Sequence, residues 1–384
     1  MYDPSIFTFD FRLFPFSPGT CHVGAAGVDG AMTDFLIIGG GIAGVSAAAR
    51  LSALGSVTLL EAEGSLAHHA SSRSAAVFEG TYGAPSTVAL NRASRPELEA
   101  RGALSPRGLM TVARDEDEAL FEADLRALEM EEIPLDEARA RLPVLGPAVT
   151  RAAVQPDTLD LDTDLLLQGF LREARANGAT VLTRAPVTAI HRTAMGWAVE
   201  AGDTHEARVL VNAAGAWADR IATFAGLPPL GFQPLRRSMA RIPSPGDPSA
   251  WPMVVGAGES WYMKPDAGAL LVCPAEEDPQ EPHDAWADDM ILAEGLARFE
   301  AHVTMTVTRL LASWAGLRTF APDRQLVLGP DPLEPAFLWC AGQGGYGFQT
   351  ACAASRHLAE LAAAAPPTLG PDLVAALGPA RLRR

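Results

Sequence analysis

Residues 35–61 read FLIIGGGIAGVSAAARLSALGSVTLLE, and this stretch constrains the fold more than any other in the chain. Phe35, Leu36, Ile37 and Ile38 form the short apolar run of a buried parallel strand. Gly39, Gly41 and Gly44 follow in GxGxxG spacing. The first permits a tight turn, the second lets a pyrophosphate approach the backbone, and the third lets the helix pack on the strand. The pattern predicts a helix from about Ile42 to Leu54, stopped by Gly55, and a second strand over residues 57–60. Glu61 ends that strand 22 residues after Gly39, where a βαβ unit places an acceptor for ribose hydroxyls. The helix N-terminus offers unpaired N–H groups and a partial positive charge to a pyrophosphate. With strand, helix, second strand and carboxylate in register, a dinucleotide site is favoured over a glycine-rich turn of another α/β protein.

The rest of the chain narrows the class. A length of 384 residues holds roughly two or three domains' worth of core. The 48% hydrophobic and 20% charged content is that of an ordinary globular protein. A formal charge of −16 argues against nucleic acid or an anionic membrane as the main partner. Cys21, Cys273, Cys340 and Cys352 show no CxxC spacing, so neither a disulfide framework nor a zinc site is indicated, and a reducing cytoplasm fits best. No apolar run reaches the about 18 residues of a membrane span. Residues 1–31 lack the basic start and apolar centre of a signal peptide. The expectation is that translation begins at Met32, the preceding residues being an over-extended reading frame or a disordered arm.

Residues 64–85 are small, polar and loop-like, and residues 115–137 read as acidic and mostly helical, with a break at Pro134. A helix is expected from Asp162 or Thr163 to about Gly178, then a strand from Thr180. A buried strand over 209–213 runs into the turn Ala214, Gly215, Ala216 and a helix near Trp217. Residues 227–310 are mixed and strand-rich, and an alanine-rich helix closes the chain. The return to a glycine turn and helix near the end implies a discontinuous nucleotide domain.

Two features favour FAD over NAD. SSRSAA, residues 71–76, offers hydroxyls and amides to a long cofactor just after the first βαβ unit. GQGGYGFQTA, residues 342–351, could aim a second positive helix end at a second anionic group. Together with GGGIAG, TYGAP, LSPRGLM, DLDTDLL, VLVNAAGAWAD, QPLRRS, WYMKPDAG and WAGLRTF, these motifs make the chain resemble the FAD-dependent D-amino acid oxidase superfamily, most of all its bacterial D-arginine dehydrogenase type. The resemblance runs from about Asp34 to the last helix. It implies an α/β fold with a Rossmann-like FAD-binding domain of the glutathione-reductase kind and a mixed-sheet α+β substrate domain. Residues 32–85, 145–225 and 311–384 are expected to form the first, and 86–144 with 226–310 the second. The implied activity is oxidation of the Cα–N bond of a D-amino acid by hydride transfer to flavin N5, the imine then hydrolysing. Such chemistry asks the side chains chiefly to hold and orient substrate.

Carried over by position, Arg318 and Arg237 would bind the substrate carboxylate, for which guanidinium forks are suited. For Arg318 the structural alternative is pairing with an acid such as Asp323. Tyr262 and Tyr82, two of only four tyrosines, would add phenol hydroxyls or shape the pocket. The Gly345 carbonyl and Gln349 would lie beside the substrate amine and the flavin. FAD, bound non-covalently, would touch Gly39, Gly41, Ile42, Ala43, Gly44, Glu61, Ala62, Ser72, Arg73, Ser74, Ala75, Ala76, Val187, Ala214, Gly215, Trp217, Arg318, Gly344, Gly345, Tyr346, Gly347, Phe348, Gln349 and Thr350. Val187 would sit near the adenine. Arginine-oxidising relatives carry a glutamate where this chain has Ala100, with Glu99 beside it. Val77 stands where a histidine is common, and nearby Glu79 is the candidate to replace the missing acid and favour cationic substrates.

Other signals are set aside. Ser46 lies inside the nucleotide helix and does not form a nucleophile elbow. His68 and His69 are adjacent and expected to diverge, so no metal is predicted. Cys340 reads as a small buried residue rather than a flavin tether. Two competing functions remain: an oxygen-using amine oxidase of glycine or sarcosine type, and a flavin-binding subunit without its own catalysis. The electron acceptor, quinone or oxygen, is left open.

Overall fold

A computed structural model describes residues 32–383; the leader before Met32, on which the expectation of an over-extended reading frame or a disordered arm falls, lies outside the described residues. Two large sheets organise the chain. The first has eight strands in the order Ala189–Arg192, Trp197–Ala201, Asp203–Asn212, Thr33–Ile38, Val57–Leu60 and Thr180–Leu182, with Phe337–Ala341 also paired to Asp203–Asn212 and Val327–Pro330 to Phe337–Ala341. Its centre is parallel: Ile37 lies opposite Leu59 on one side and Val211 on the other. Phe35, Leu36 and Ile37 are wholly buried, as a strand covered on both faces requires.

The helix after the glycine turn runs Ile42–Leu51, shorter than the expected span, and leaves through a turn to Gly55. Gly39 has a φ of +111°, and a Cβ on Gly44 would lie 1.9 Å from the Gly39 carbonyl oxygen, so turn and helix touch without side chains between them. Helix Thr163–Ala176 begins where Asp162 predicts: its carboxylate accepts the Leu165 N–H at 2.9 Å, a cap worth about 1 kcal/mol. Leu166, Phe170 and Ala174 bury one face against Ile42–Leu51.

The second sheet has nine strands, Asp278–Pro279, Gln233–Pro243, Ala269–Cys273, Tyr262–Asp266, Met253–Gly256, Leu109–Ala113, Arg151–Gln155 and Glu131–Ile133, with Ala312–Phe320 along Gln233–Pro243. A small third sheet joins Val77–Phe78, Leu159–Leu161 and Leu104–Pro106. Strands Arg151–Gln155 and Ala312–Phe320, whose stretches sequence placed with the nucleotide domain, thus pair in the second sheet. Helix Pro85–Ala100, placed with the substrate domain, packs on the closing helix Gly347–Ala362 and the first-sheet core. The acidic stretch 115–137 is likewise less helical than its composition suggests. Helix Glu118–Ala127 gives way to an edge strand, Glu131–Ile133, before Pro134 starts helix Leu135–Arg141.

Candidate active site

Three connected cavities run from the first sheet to the second. The first, ≈ 330 Å³, is lined by Gly39, Gly41, Glu61, Ala62, Arg73, Val187, Ala214, Gly215 and Trp217 among others. Glu61 is held at its mouth, accepting the Gly40 N–H at 2.6 Å and the Glu63 N–H at 2.8 Å. Asn212 pins the Ala214 turn by donating to the Ala218 carbonyl at 2.8 Å and accepting the Ala214 N–H at 3.3 Å. The second, ≈ 150 Å³, lies where the two sheets meet and is lined by Gly41, Ile42, Ala43, Ser71, Arg73, Ser74, Ala75, Val77, Arg237, Tyr262, Arg318, Gly344, Gly345, Gly347, Phe348 and Gln349. The third, ≈ 290 Å³, shares Ser74, Ala75, Val77, Tyr262, Arg318, Gly345 and Gln349 with it and adds Ala76, Glu79, Thr81, Tyr82, Asp124, Thr158 and Glu259.

Most residues expected at the cofactor line this channel; four do not. Gly44 is packed against Gly39. Ser72 donates to the His68 and His69 carbonyls, while Ser71, one residue earlier, turns its hydroxyl to the Ile42 N–H at 3.0 Å. Tyr346 meets Tyr82 and Phe320 edge-on, and Thr350 is buried with its hydroxyl on the Tyr346 carbonyl at 2.9 Å. Arg73 lines the channel, but its guanidinium is committed to Asp284 and to the Ala285 and Ala315 carbonyls. FAD fits the remainder. The N-terminal end of Ile42–Leu51 suits the pyrophosphate, Glu61 the ribose, and the second cavity, facing the start of Gly347–Ala362, suits the ring system.

The arginines arrive together through strand register. Gln233–Pro243 and Ala312–Phe320 are antiparallel, with Arg237 opposite Gly316 and Leu235 opposite Arg318, so the two guanidiniums share one face. Arg318 lies against Gly345, where an added Cβ would meet its Cζ at 3.0 Å. Burial works against its charge, but Tyr262, Tyr82 and Glu259 more than offset this and raise its pKa. Among the described residues the Arg318 guanidinium makes no hydrogen bond; its nearest carboxylate is Glu259, 3.9 Å away. The structural alternative, Asp323, pairs with Arg381 instead. Arg237 is 3.3 Å from both Glu259 and Glu277, yet its buried Nε and Nη1 find no hydrogen-bond partner.

Tyr82 donates to Glu259 Oε2 at 2.9 Å, and burial, reinforced by Glu259, raises its pKa. Tyr262 is buried beside Cys273, and burial raises its pKa well above the ordinary value. Gln349 Oε1 accepts the Glu79 N–H at 3.1 Å. Glu79 is itself buried, and its carboxylate accepts from the Thr81 N–H at 3.0 Å, the Thr81 hydroxyl at 2.8 Å and the Thr158 hydroxyl. No cationic side chain pairs with it among the described residues. Glu99 lies away from the cavity and pairs with Arg95 at 2.8 Å.

Sequence reasoning missed Glu259, Asp124, Thr81 and Thr158. Only the tertiary fold carries them to the channel, and nothing in the local stretch GAGES marks Glu259. The expectation that His68 and His69 diverge fails: the bend at His69 sets the rings 4.9 Å apart, His69 meets Glu63 at 3.0 Å, and Glu63, His68 and His69 form a cluster of metal-ligand type. Cys340 is buried, and its thiol is pushed up to about 12.

A nucleotide channel in a parallel sheet, opening onto arginines of a second sheet, defines a flavin-type oxidoreductase. The chain belongs to the DAO family of FAD dependent oxidoreductases, whose family model matches residues 34–361, and FAD is its cofactor. FAD-dependent oxidoreductase domain-containing protein 1 of Bos taurus is 24% identical over 397 residues, covering 86% of this chain and 81% of its own. The crystal structure of glycine oxidase from Geobacillus kaustophilus superposes with a TM-score of 0.78 at 23% identity, covering 90% of this chain and 98% of that one. L-proline dehydrogenase from P. horikoshii gives 0.78 at 21% identity, over 92% and 98%. At these identities the structural likenesses carry the fold alone. Among the described residues no helix is long and apolar enough to cross a membrane.

Proposed function

We propose that the protein oxidises the Cα–N bond of a D-amino acid, with Arg318 and Arg237 holding the substrate carboxylate. The observation that carries this reading is the Arg318 guanidinium, charged, turned into the third cavity and without a hydrogen bond among the described residues. A largely buried cation in that state suits an anionic ligand, and its fork suits a carboxylate. Bound FAD, held non-covalently, would supply the hydride acceptor. The chain's part is positional: the arginines orient the carboxylate, the Gly345 carbonyl accepts from the amine, and Tyr82 and Tyr262 shape the walls. The deprotonated amine gives its lone pair to the C–N bond as hydride leaves Cα. Water then adds to the imine, releasing ammonia and a 2-oxo acid.

The D configuration rests on the motif likeness to D-arginine dehydrogenases. Glu79, buried without a counter-charge on the cavity wall, supports a cationic side chain. The cavity's extension past the arginines to Glu79, Thr81 and Thr158 favours a substrate larger than glycine or sarcosine. Anaerobic mixing of the FAD-loaded protein with D- and L-amino acids, glycine and sarcosine tests the reading. Bleaching of the flavin band by D-amino acids, fastest for D-arginine and D-lysine, is expected. Bleaching by glycine or sarcosine alone, or by nothing, refutes it, and admitting air afterwards shows whether oxygen serves as acceptor.

A further inference from the structure

The carboxylate expected of the substrate has a counterpart already in the protein. Glu259 reaches from the turn Ala257–Glu259 and places Oε2 on the Tyr82 hydroxyl at 2.9 Å, with Oε1 3.3 Å from Arg237 Nη1 and 3.9 Å from Arg318 Nη1. The two arginines are the groups to which the proposed function assigns the substrate's carboxylate, and Tyr82 is a wall of the same cavity. We propose that Glu259 is an intramolecular competitor for the arginine clamp, displaced when substrate binds, and so sets which carboxylates the site accepts. The inference rests on the clamp reading given above.

Charge counting supports displacement. Arg237, Arg318 and Arg324, the last 2.8 Å from Glu277, face Glu259, Glu277 and the cavity-lining Asp124, three cations against three anions. An amino acid is oxidised with its amine deprotonated, so the reacting species adds a fourth carboxylate. Four anions on three guanidiniums in a partly buried chamber repel one another. Glu259 is the one free to go: both side chains keep 35% of their exposure, but Glu277 is also tied to Arg324. Its backbone points the same way. Gly258 and Glu259 have φ values of +70° and +52°, the left-handed region, which is strained for a glutamate. That conformation is held by the Gly258 N–H on Asp124 at 2.8 Å and by the Glu259 carboxylate on Tyr82 and Arg237. Release of the carboxylate removes one of the two restraints.

Benzoate, a carboxylate without an amine, is the probe. The FAD-loaded wild type, Glu259→Ala, Glu259→Gln and Arg318→Met proteins are titrated with it while the flavin absorption band is followed. Where Glu259 occupies the clamp most of the time, the apparent affinity of a competing carboxylate is lowered by the fraction of clamp left open. Glu259→Ala is then expected to tighten benzoate about tenfold. Glu259→Gln shifts affinity the same way with side-chain volume kept, and guards against a folding defect in the alanine variant. Arg318→Met weakens benzoate. If Arg318→Met weakens benzoate while both Glu259 variants leave it unchanged or weaker, the competitor role is overturned and the clamp survives. If Arg318→Met has no effect, the clamp and the competitor fall together. Benzylamine is the control: a Glu259 that instead holds the substrate ammonium would lose benzylamine binding on substitution and leave benzoate alone, which also overturns the proposal.

Discussion

Replacing Glu79 by glutamine isolates a single charge on the cavity wall. The carboxylate accepts from the Thr81 N–H, the Thr81 hydroxyl and the Thr158 hydroxyl, and no cation pairs with it among the described residues. Glutamine keeps the shape. Its carbonyl can take the two Thr81 bonds, and its amide can donate to Thr158, whose hydroxyl turns to accept. Fold and FAD content are therefore expected to survive. What is lost is the attraction to a cationic side chain. Two unit charges about 4 Å apart at an effective dielectric of about 20 attract by about 4 kcal/mol. Desolvation takes back part of this, and a hydrogen bond to a charged group nets about 1.5–3 kcal/mol. That corresponds to about 10–100-fold in kcat/KM. The assay is steady-state kcat/KM for D-arginine, D-lysine and D-leucine in both proteins. The first two should fall by that factor, with D-leucine within about threefold. Equal losses on all three substrates, or none on any, would refute the assignment of Glu79 to the substrate side chain.

Gly44→Ala should lose FAD, because its Cβ would sit 1.9 Å from the Gly39 carbonyl oxygen and push turn and helix apart. Overpacking of this kind costs about 1–3 kcal/mol, read as a lower melting temperature and a reduced flavin-to-protein absorbance ratio. His357 is buried with neither ring nitrogen hydrogen-bonded, and burial lowers its pKa below the usual 6.5. The unfolded chain takes up that proton first. The contribution is full above 6.5 and is lost as pH falls toward the folded value. The fall in melting temperature between about pH 7.5 and 5.5 should therefore shrink in His357→Gln, and an unchanged fall would count against the argument.

Sequence-local physics determined the nucleotide end of the protein. The apolar run before Gly39, the glycine spacing, the Asp162 cap and the strand ending at Glu61 each depend on neighbours within a few residues, or within one βαβ unit. They stand in the structure close to where they were expected. The substrate end was legible only as residue types at matching motifs. That Arg237 and Arg318 share a face follows from strand register across some eighty residues of chain, which periodicity along one strand does not specify. The same holds for the assignment of Arg151–Gln155 and Ala312–Phe320 to the second sheet. Glu79, read from sequence as a candidate pocket acid, is buried because Thr81, Thr158 and Gln349 close around it from three separate segments. Glu259 reached the arginines through a left-handed turn packed on a distant helix. Local pattern names the strand or helix a residue rides on; which charges meet is decided by long-range pairing and packing, and those are properties of the whole fold.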